Sequence, residues 1–268
     1  MKHVLAACLV TLAGALPAPA LAAGGFVRFV VPAPTLGGPR GVTVLLPESY
    51  VVSERRYPVV YFQDGQNVFN PLAPSYSRWN AVAALKGLSE GGREVIAVAI
   101  DNGERLSEYT PRADPNAGLP SARAGEYIAW MTGALKPFID ARLRTLNGRE
   151  DTAIVGSSLG GLVSLAALVA APDVFGLVGA LSPSLWVAGR ASLNDLKTLP
   201  PAQAAGSRVY LSAGTLEPES VAADAADAAG ILEALGARVR NVTWPQGAHN
   251  EATWAEELPG ALAFLFLP

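Results

Sequence analysis

Seven short stretches of the chain, residues 41–47, 57–62, 95–100, 152–155, 177–181, 209–212 and 239–244, are rich in β-branched and aliphatic side chains, and residues 25–31 are an additional candidate of the same kind. Several are unbroken apolar runs rather than alternating ones. That is the pattern of strands covered on both faces of a mostly parallel sheet. Between them the period lengthens to that of a helix. Tyr127, Ile128, Met131, Leu135, Phe138, Ile139 and Leu143 fall largely three and four residues apart, which marks one face of a helix. Residues 159–171 read as a nearly all-apolar, buried helix, and residues 221–235 and 251–266 complete the set. Strands alternating with helices predict an α/β protein, a three-layer sandwich around a mostly parallel central sheet. The longest stretch without regular pattern is 102–123, polar and rich in Pro, Arg and Gly, directly after a strand. Ligands of open α/β sheets bind beyond the carboxyl ends of the strands, so this stretch is a candidate site rim.

The N-terminus changes the inventory of reactive residues. Met1-Lys2-His3 is a short basic start, residues 4–16 are apolar apart from Thr11 and Gly14, and Pro17 and Pro19 precede the small-x-small sequence Ala20-Leu21-Ala22. This is the layout of an export signal, and the apolar run is too short to span a bilayer. Residues 1–22 are therefore expected to be a signal peptide, and 23–268 a single domain, periplasmic or secreted, with no stable membrane insertion after cleavage. Cutting at the lipoprotein-like box that ends at Cys8 would leave almost no apolar segment ahead of it. Cleavage after Ala22 removes Cys8 and His3, so the mature chain has no cysteine and one histidine, His249. Thiol catalysis, disulfides and Cys/His metal clusters fall out by inventory; no metal and no cofactor are expected.

Composition adds less. The chain has 268 residues, 50% of them hydrophobic and 16% charged, with a net charge of −3 and a mean hydropathy of +0.28. That is too apolar for disorder and long enough for a sizeable core. No basic run exists to neutralise phosphates, so nucleic acid is not an expected partner.

Gly156-Ser157-Ser158-Leu159-Gly160 reads G-x-S-x-G, between the strand 152–155 and the helix that begins at Leu159. In that context the motif is a nucleophile elbow: small residues let a strained turn hold Ser158 above the sheet. The helix N-terminus offers the free amide of Leu159 to a developing oxyanion. A serine hydroxyl needs a base in contact with it. His249 lies in the loop between the strand 239–244 and the last helix, which matches the chain order serine, acid, histidine of α/β-hydrolases. Glu217 comes first after the strand 209–212 and its glycine turn, where a carboxylate can reach back to His249. Glu219 is the second candidate for the acid, and Asp224 and Asp227 sit where acids ordinarily stabilise a helix start. A serine–histidine dyad is the other possibility. The second oxyanion donor is expected from the backbone of Gly65 or Gln66, after the strand 57–62, with Asp64 shaping that loop.

These motifs resemble the putative esterase family of α/β-hydrolases, which includes enterochelin esterases, esterase D, feruloyl and acetylxylan esterases and secreted mycolyltransferases. The resemblance runs from Gly41 to Leu267. It rests on residues 60–67, on Arg105 with 108–111, on 156–161, on Leu181-Ser182-Pro183-Ser184-Leu185-Trp186, and on 247–250 with Trp254. It implies an α/β-hydrolase fold, Ser158 as nucleophile and His249 as base, with Glu217 at the position of the mycolyltransferase acid. Arg105, Tyr109 and Trp186 then become candidate substrate contacts, and Arg105, Arg112 and Arg123 would suit an anionic substrate. The expected activity is hydrolysis of a small-molecule or saccharide-linked ester through an acyl-enzyme. The alternatives are an acyltransferase on the same scaffold and a non-catalytic binding protein. Residues 183–207, only 25 in number, are too few for a mobile lid domain, so an open cleft for water-soluble short-chain, aromatic or siderophore-type esters is expected. Protein recovered from the native host should begin near Ala23 by N-terminal sequencing; an intact Met1 or a lipidated Cys8 would overturn the export reading.

Overall fold

The computed structural model describes residues 25–69 and 78–268. The expected signal peptide, residues 1–22, lies outside the described residues. Eight strands form one sheet: β1 (Phe26–Val31), β2 (Arg40–Leu45), β3 (Val59–Phe62), β4 (Ile96–Ile100), β5 (Thr152–Ser157), β6 (Leu177–Leu181), β7 (Arg208–Gly214) and β8 (Arg238–Trp244). Their order is β1-β2-β4-β3-β5-β6-β7-β8. β1 pairs antiparallel with β2, and β2 antiparallel with β4, while β4, β3, β5, β6, β7 and β8 run parallel. The α/β sandwich read from the apolar runs is therefore the observed fold, with residues 25–31 as a genuine edge strand.

Strand pleating sorts the side chains into two layers. Val59 and Tyr61 of β3, Ile96, Val98 and Ile100 of β4, and Val209 and Leu211 of β7 point into one core. Val60 and Phe62, Ala97 and Ala99, and Tyr210 point into the other. Since both faces are covered, every residue of β4 is fully buried, and the run shows no polar alternation. The first layer is closed by the helices Ala124–Trp130, Leu159–Ala170, Val187–Leu196 and Glu219–Ala234. The second is closed by Ala81–Glu90 and Glu251–Phe266, which pack on each other. None of these helices is long and apolar enough to cross a membrane among the described residues.

Two local features depart from the periodicity. The pattern over 127–143 predicts one continuous helix. Instead, Ala124–Trp130 leads into a π-turn at Met131–Leu135 and resumes at Lys136–Asp140. Pro137 has no N–H for an ordinary i−4 bond, and the wider turn absorbs the mismatch. Within 183–207, residues 192–199 have a helix-like spacing. The helix is Val187–Leu196, and it carries a left-handed turn at Ala188, Gly189 and Arg190. With the short Pro201–Ala204 it makes no large lid.

The rim 102–123 is more ordered than its composition suggests. It holds a short helix at Arg105–Glu108 and a 3-10 turn at Pro115–Ala117. Beneath it Arg40 pairs with Glu108, and their side chains are 8% and 0% exposed. Arg40 also donates to the Leu36 and Gly38 carbonyls at 2.9 Å. Losing one partner of such a pair strands a buried charge, which costs more than the intact pair gains. Arg40→Met should lower unfolding free energy by roughly 3–5 kcal/mol, and Arg40→Met with Glu108→Leu should recover much of the loss; urea melts of the single and double variants check this.

Candidate active site

The carboxyl ends of β3, β5, β6, β7 and β8 converge on one edge of the sheet, and each delivers one piece of the site. At the end of β5 the chain turns at Ser158 with φ 57° and ψ −123°, a conformation that L-residues avoid. It is fixed from three sides. The Ser158 amide donates to Leu181 O at 2.9 Å, and its carbonyl accepts from the amides of Ser184 and Leu162 at 3.1 and 3.0 Å. The turn also needs its glycines: a Cβ on Gly156 would lie 2.4 Å from Gly160 O, and one on Gly161 would meet Pro183 at 3.2 Å. The Ser158 hydroxyl is hydrogen-bonded to Ser184 Oγ at 3.2 Å.

β7 and β8 bring the acid and the imidazole together. His249 Nδ1 lies 2.6 Å from Glu217 Oε2, with side chains 41% and 0% exposed. Glu219, by contrast, is exposed on the first turn of the next helix. Glu217 Oε1 accepts from Ser182 Oγ at 2.6 Å and from the Gly214 amide at 2.7 Å. Burial pushes the Glu217 carboxyl up, but the hydrogen bonds from His249, Ser182 and Gly214 outweigh it and hold the group below the ordinary glutamate range. Trp254 Nε1 donates to Ser182 Oγ at 3.0 Å, and its ring meets the His249 ring edge-on at 5.1 Å between centroids. The loop carrying His249 is tied down by the helix cap that follows. Asn250 Oδ1 accepts from the Thr253 amide at 3.1 Å, and Thr253 Oγ1 accepts from the Ala248 amide at 2.9 Å.

After β3, Asp64 takes a left-handed conformation at φ 53° and starts the turn Gly65–Val68. Gly65 is required here because a Cβ would meet the Ala99 and Ile100 backbone at 2.6 Å. The first amides of this turn, like that of Leu159, have no partner within their own helix. Arg105 clamps the Asp64 carboxylate through Nε at 2.7 Å and Nη2 at 3.0 Å, and Asn102 donates to it at 2.6 Å. The Gln66 side chain accepts from the Asn102 amide at 3.3 Å. Asp64 thus shapes the loop, and Arg105 is spent on Asp64.

Two sequence expectations need correction. Tyr109 is fully buried; its hydroxyl accepts from the Asp64 amide at 3.1 Å, so it supports the loop from inside and does not face a ligand. The three rim arginines do not form a free cationic surface. Arg105 is held by Asp64, Arg112 by Asp195 at 2.5 Å, and Arg123 by Glu126 at 2.8 Å. Trp186 does lie on the rim, 44% exposed. Ser182, Ser184 and Trp254 were in the quoted motifs without a role; the signal was two small polar residues directly after a buried strand. Among the described residues no three His, Cys, Asp or Glu side chains group as metal ligands would.

Comparison with known proteins agrees with this architecture. A family model described as "Putative esterase" matches residues 33–265. YbbA, an uncharacterized protein of Bacillus subtilis (strain 168), is 30% identical over 188 residues, 67% of this chain and 70% of that protein. The siderophore enterobactin esterase of Emericella nidulans is 29% identical over 182 residues, and the match spans 60% of this chain and 58% of the relative. Among solved structures, an IroE-like serine hydrolase from Shewanella oneidensis superposes with a TM-score of 0.73 at 25% identity, over 90% of this chain and 80% of that one. With its parallel sheet, its serine turn and the family match over most of its length, the chain belongs to the putative esterase family of α/β-hydrolases.

Proposed function

We propose that this protein is an exported serine carboxylesterase that works through an acyl-enzyme, with Ser158 as nucleophile, His249 as base and Glu217 as acid. The observation that carries the reading is the 2.6 Å contact between His249 Nδ1 and a Glu217 carboxylate with no solvent exposure, beside a serine held at positive φ. An ionised Glu217 keeps the proton on Nδ1 and leaves Nε2 to take the serine proton. On substrate arrival the Ser158 hydroxyl exchanges its bond to Ser184 for one to His249; catalytic hydrogen bonds commonly close only in the loaded complex. Attack on the ester carbonyl places negative charge on its oxygen, next to the amides of Leu159 and of Gly65 or Gln66. His249 then protonates the leaving alcohol, and a water that it activates releases the acid.

The rim favours uncharged contacts. Leu106, Trp186 and Leu216, which follow β4, β6 and β7, are 55%, 44% and 62% exposed, while the neighbouring arginines are paired. We assign small water-soluble esters with short-chain, aromatic or siderophore-type groups as the substrate class. The names of the relatives, which include an enterobactin esterase and a triacetylfusarinine C esterase of Aspergillus fumigatus, support the last of these.

Two expectations test the assignment. Purified protein should release p-nitrophenol from p-nitrophenyl acetate. Ser158→Ala should abolish that turnover, Glu217→Gln should lower kcat by roughly 10²-fold or more, and Glu219→Gln should leave it near wild type. Equal effects at the two glutamates would remove Glu217 from the mechanism. The second concerns pH. A carboxylate held below its unfolded value contributes stability above about pH 4.3 that is lost as pH falls through the folded value. Ser182→Ala deletes one donor to Glu217 and raises that folded value. The variant should therefore be less stable than wild type at neutral pH and lose less further stability on acidification below about pH 4.3, read from urea unfolding free energies across the acid range.

A further inference from the structure

A second buried carboxyl lies under the acid of the site. The helix Glu251–Phe266 presents Trp254 and Glu257, three residues apart, to the ends of β6 and β7. Trp254 Nε1 meets Ser182 Oγ, and Glu257 Oε2 accepts a short hydrogen bond from Ser212 Oγ. The two contact points are themselves joined, since the Ser182 amide donates to Ser212 O at 2.9 Å. Glu217 hangs from the first contact point and Glu257 from the second. Glu257 is 1% exposed, and its other oxygen, Oε1, has no hydrogen-bond partner among the described residues.

Donor count decides which of the two glutamates carries charge. Glu217 is met by His249, Ser182 and the Gly214 amide; Glu257 is met by one hydroxyl. Two buried carboxylates close together repel, so the one with fewer donors keeps its proton. Building on the triad reading above, we propose that Glu257 is a positioning residue for the Glu217–His249 pair, carried as a neutral carboxylic acid beneath Glu217, whose ionisation adds a negative charge that strengthens the hold of the imidazole on its proton. Burial, opposed by the Ser212 hydrogen bond and reinforced by the Glu217 charge, pushes Glu257 up to about 7. It therefore changes charge in the range where a histidine base does.

The surroundings leave few other titrating groups. On its own helix Glu256 adds a like charge. Tyr210 of β7 is itself pushed up to about 12 by burial and by Glu257, with Arg240 of β8 opposing. β6 contributes no charged residue. On the helix Ala81–Glu90, Lys86 and Glu90 are exposed and paired with each other. Asp64, Arg105 and Glu251, at the mouth of the site, are retained in every variant below.

His249 is the one histidine of the chain without residues 1–22, so its ring can be followed by NMR in that protein independently of turnover. In wild type the imidazole titration and the acid limb of kcat/KM should show two coupled ionisations. Glu257→Gln, which keeps the shape and removes the charge, should leave one, lower by about half a pH unit, so that the variant keeps more of its plateau activity at mildly acidic pH. Wild-type infrared difference spectra across neutral pH should show a protonated carboxyl band disappearing as pH rises. A folded Glu257→Gln variant whose imidazole titration and rate profile superpose on wild type would overturn the proposal, and so would the absence of that band. Turnover retained by Ser158→Ala would instead sink the serine mechanism, while the imidazole titration still reports on Glu257.

Discussion

A serine forced to positive φ between a strand and a helix is the constraint around which the functional edge of this protein is arranged. Such a conformation costs on the order of 1–3 kcal/mol and survives only where neighbours over-determine it. Here the neighbours are backbone groups of β6 and the segment after it, Leu181 and Ser184, together with glycines at 156 and 161 that let main chains touch and Gly160, against which the Gln63 and Asp64 side chains pack. The segment that pins Ser158 also carries Ser182, whose hydroxyl anchors Glu217. The position of Ser158 and the orientation of Glu217 are thus set by one short stretch of chain, residues 181–184.

Much of this was legible in the sequence because it is periodic or ordered along the chain. The eight strands and the helices Leu159–Ala170, Glu219–Ala234 and Glu251–Phe266 followed from hydrophobic spacing, and the order of Ser158, Glu217 and His249 narrowed the chemistry before any contact was known. What stayed hidden depends on neighbours far away in sequence. The helix Ala81–Glu90 buries mostly alanine and leucine on a narrow face, too weak a stripe to stand out. The π-turn at Met131–Leu135 is a compromise with Pro137. Tyr109 was a candidate substrate contact only through the family resemblance; only the fold shows its hydroxyl under Asp64. Glu257 looks like an ordinary helix-surface acid until the helix is docked on β7.

Charge is handled differently at the two depths of the site. Near the mouth, cations and anions are paired one to one, as in Arg105 with Asp64 and Arg112 with Asp195. Such pairs fix loops and leave little net field for steering a charged ligand. Deeper down, among the groups around Glu217, hydroxyls, a backbone amide and an indole replace the missing countercharge. Directional donors of this kind hold a carboxylate in one orientation, which a mobile lysine or arginine does less well.

The sheet order has a consequence for how the molecule comes into being. β4 lies between β2 and β3, and the groups of the functional edge are drawn from the ends of β3, β5, β6, β7 and β8. Parallel neighbours of this kind pair only after long crossovers have closed, which makes such topologies slow to form. A nascent chain that has emitted Ser158 has neither Leu181 to hold its turn nor the later loop that carries His249. On the proposed mechanism, the serine has no imidazole to take its proton until β8 has paired with β7. On that reading the order of the strands itself delays the assembly of a complete site until the last strand is in place.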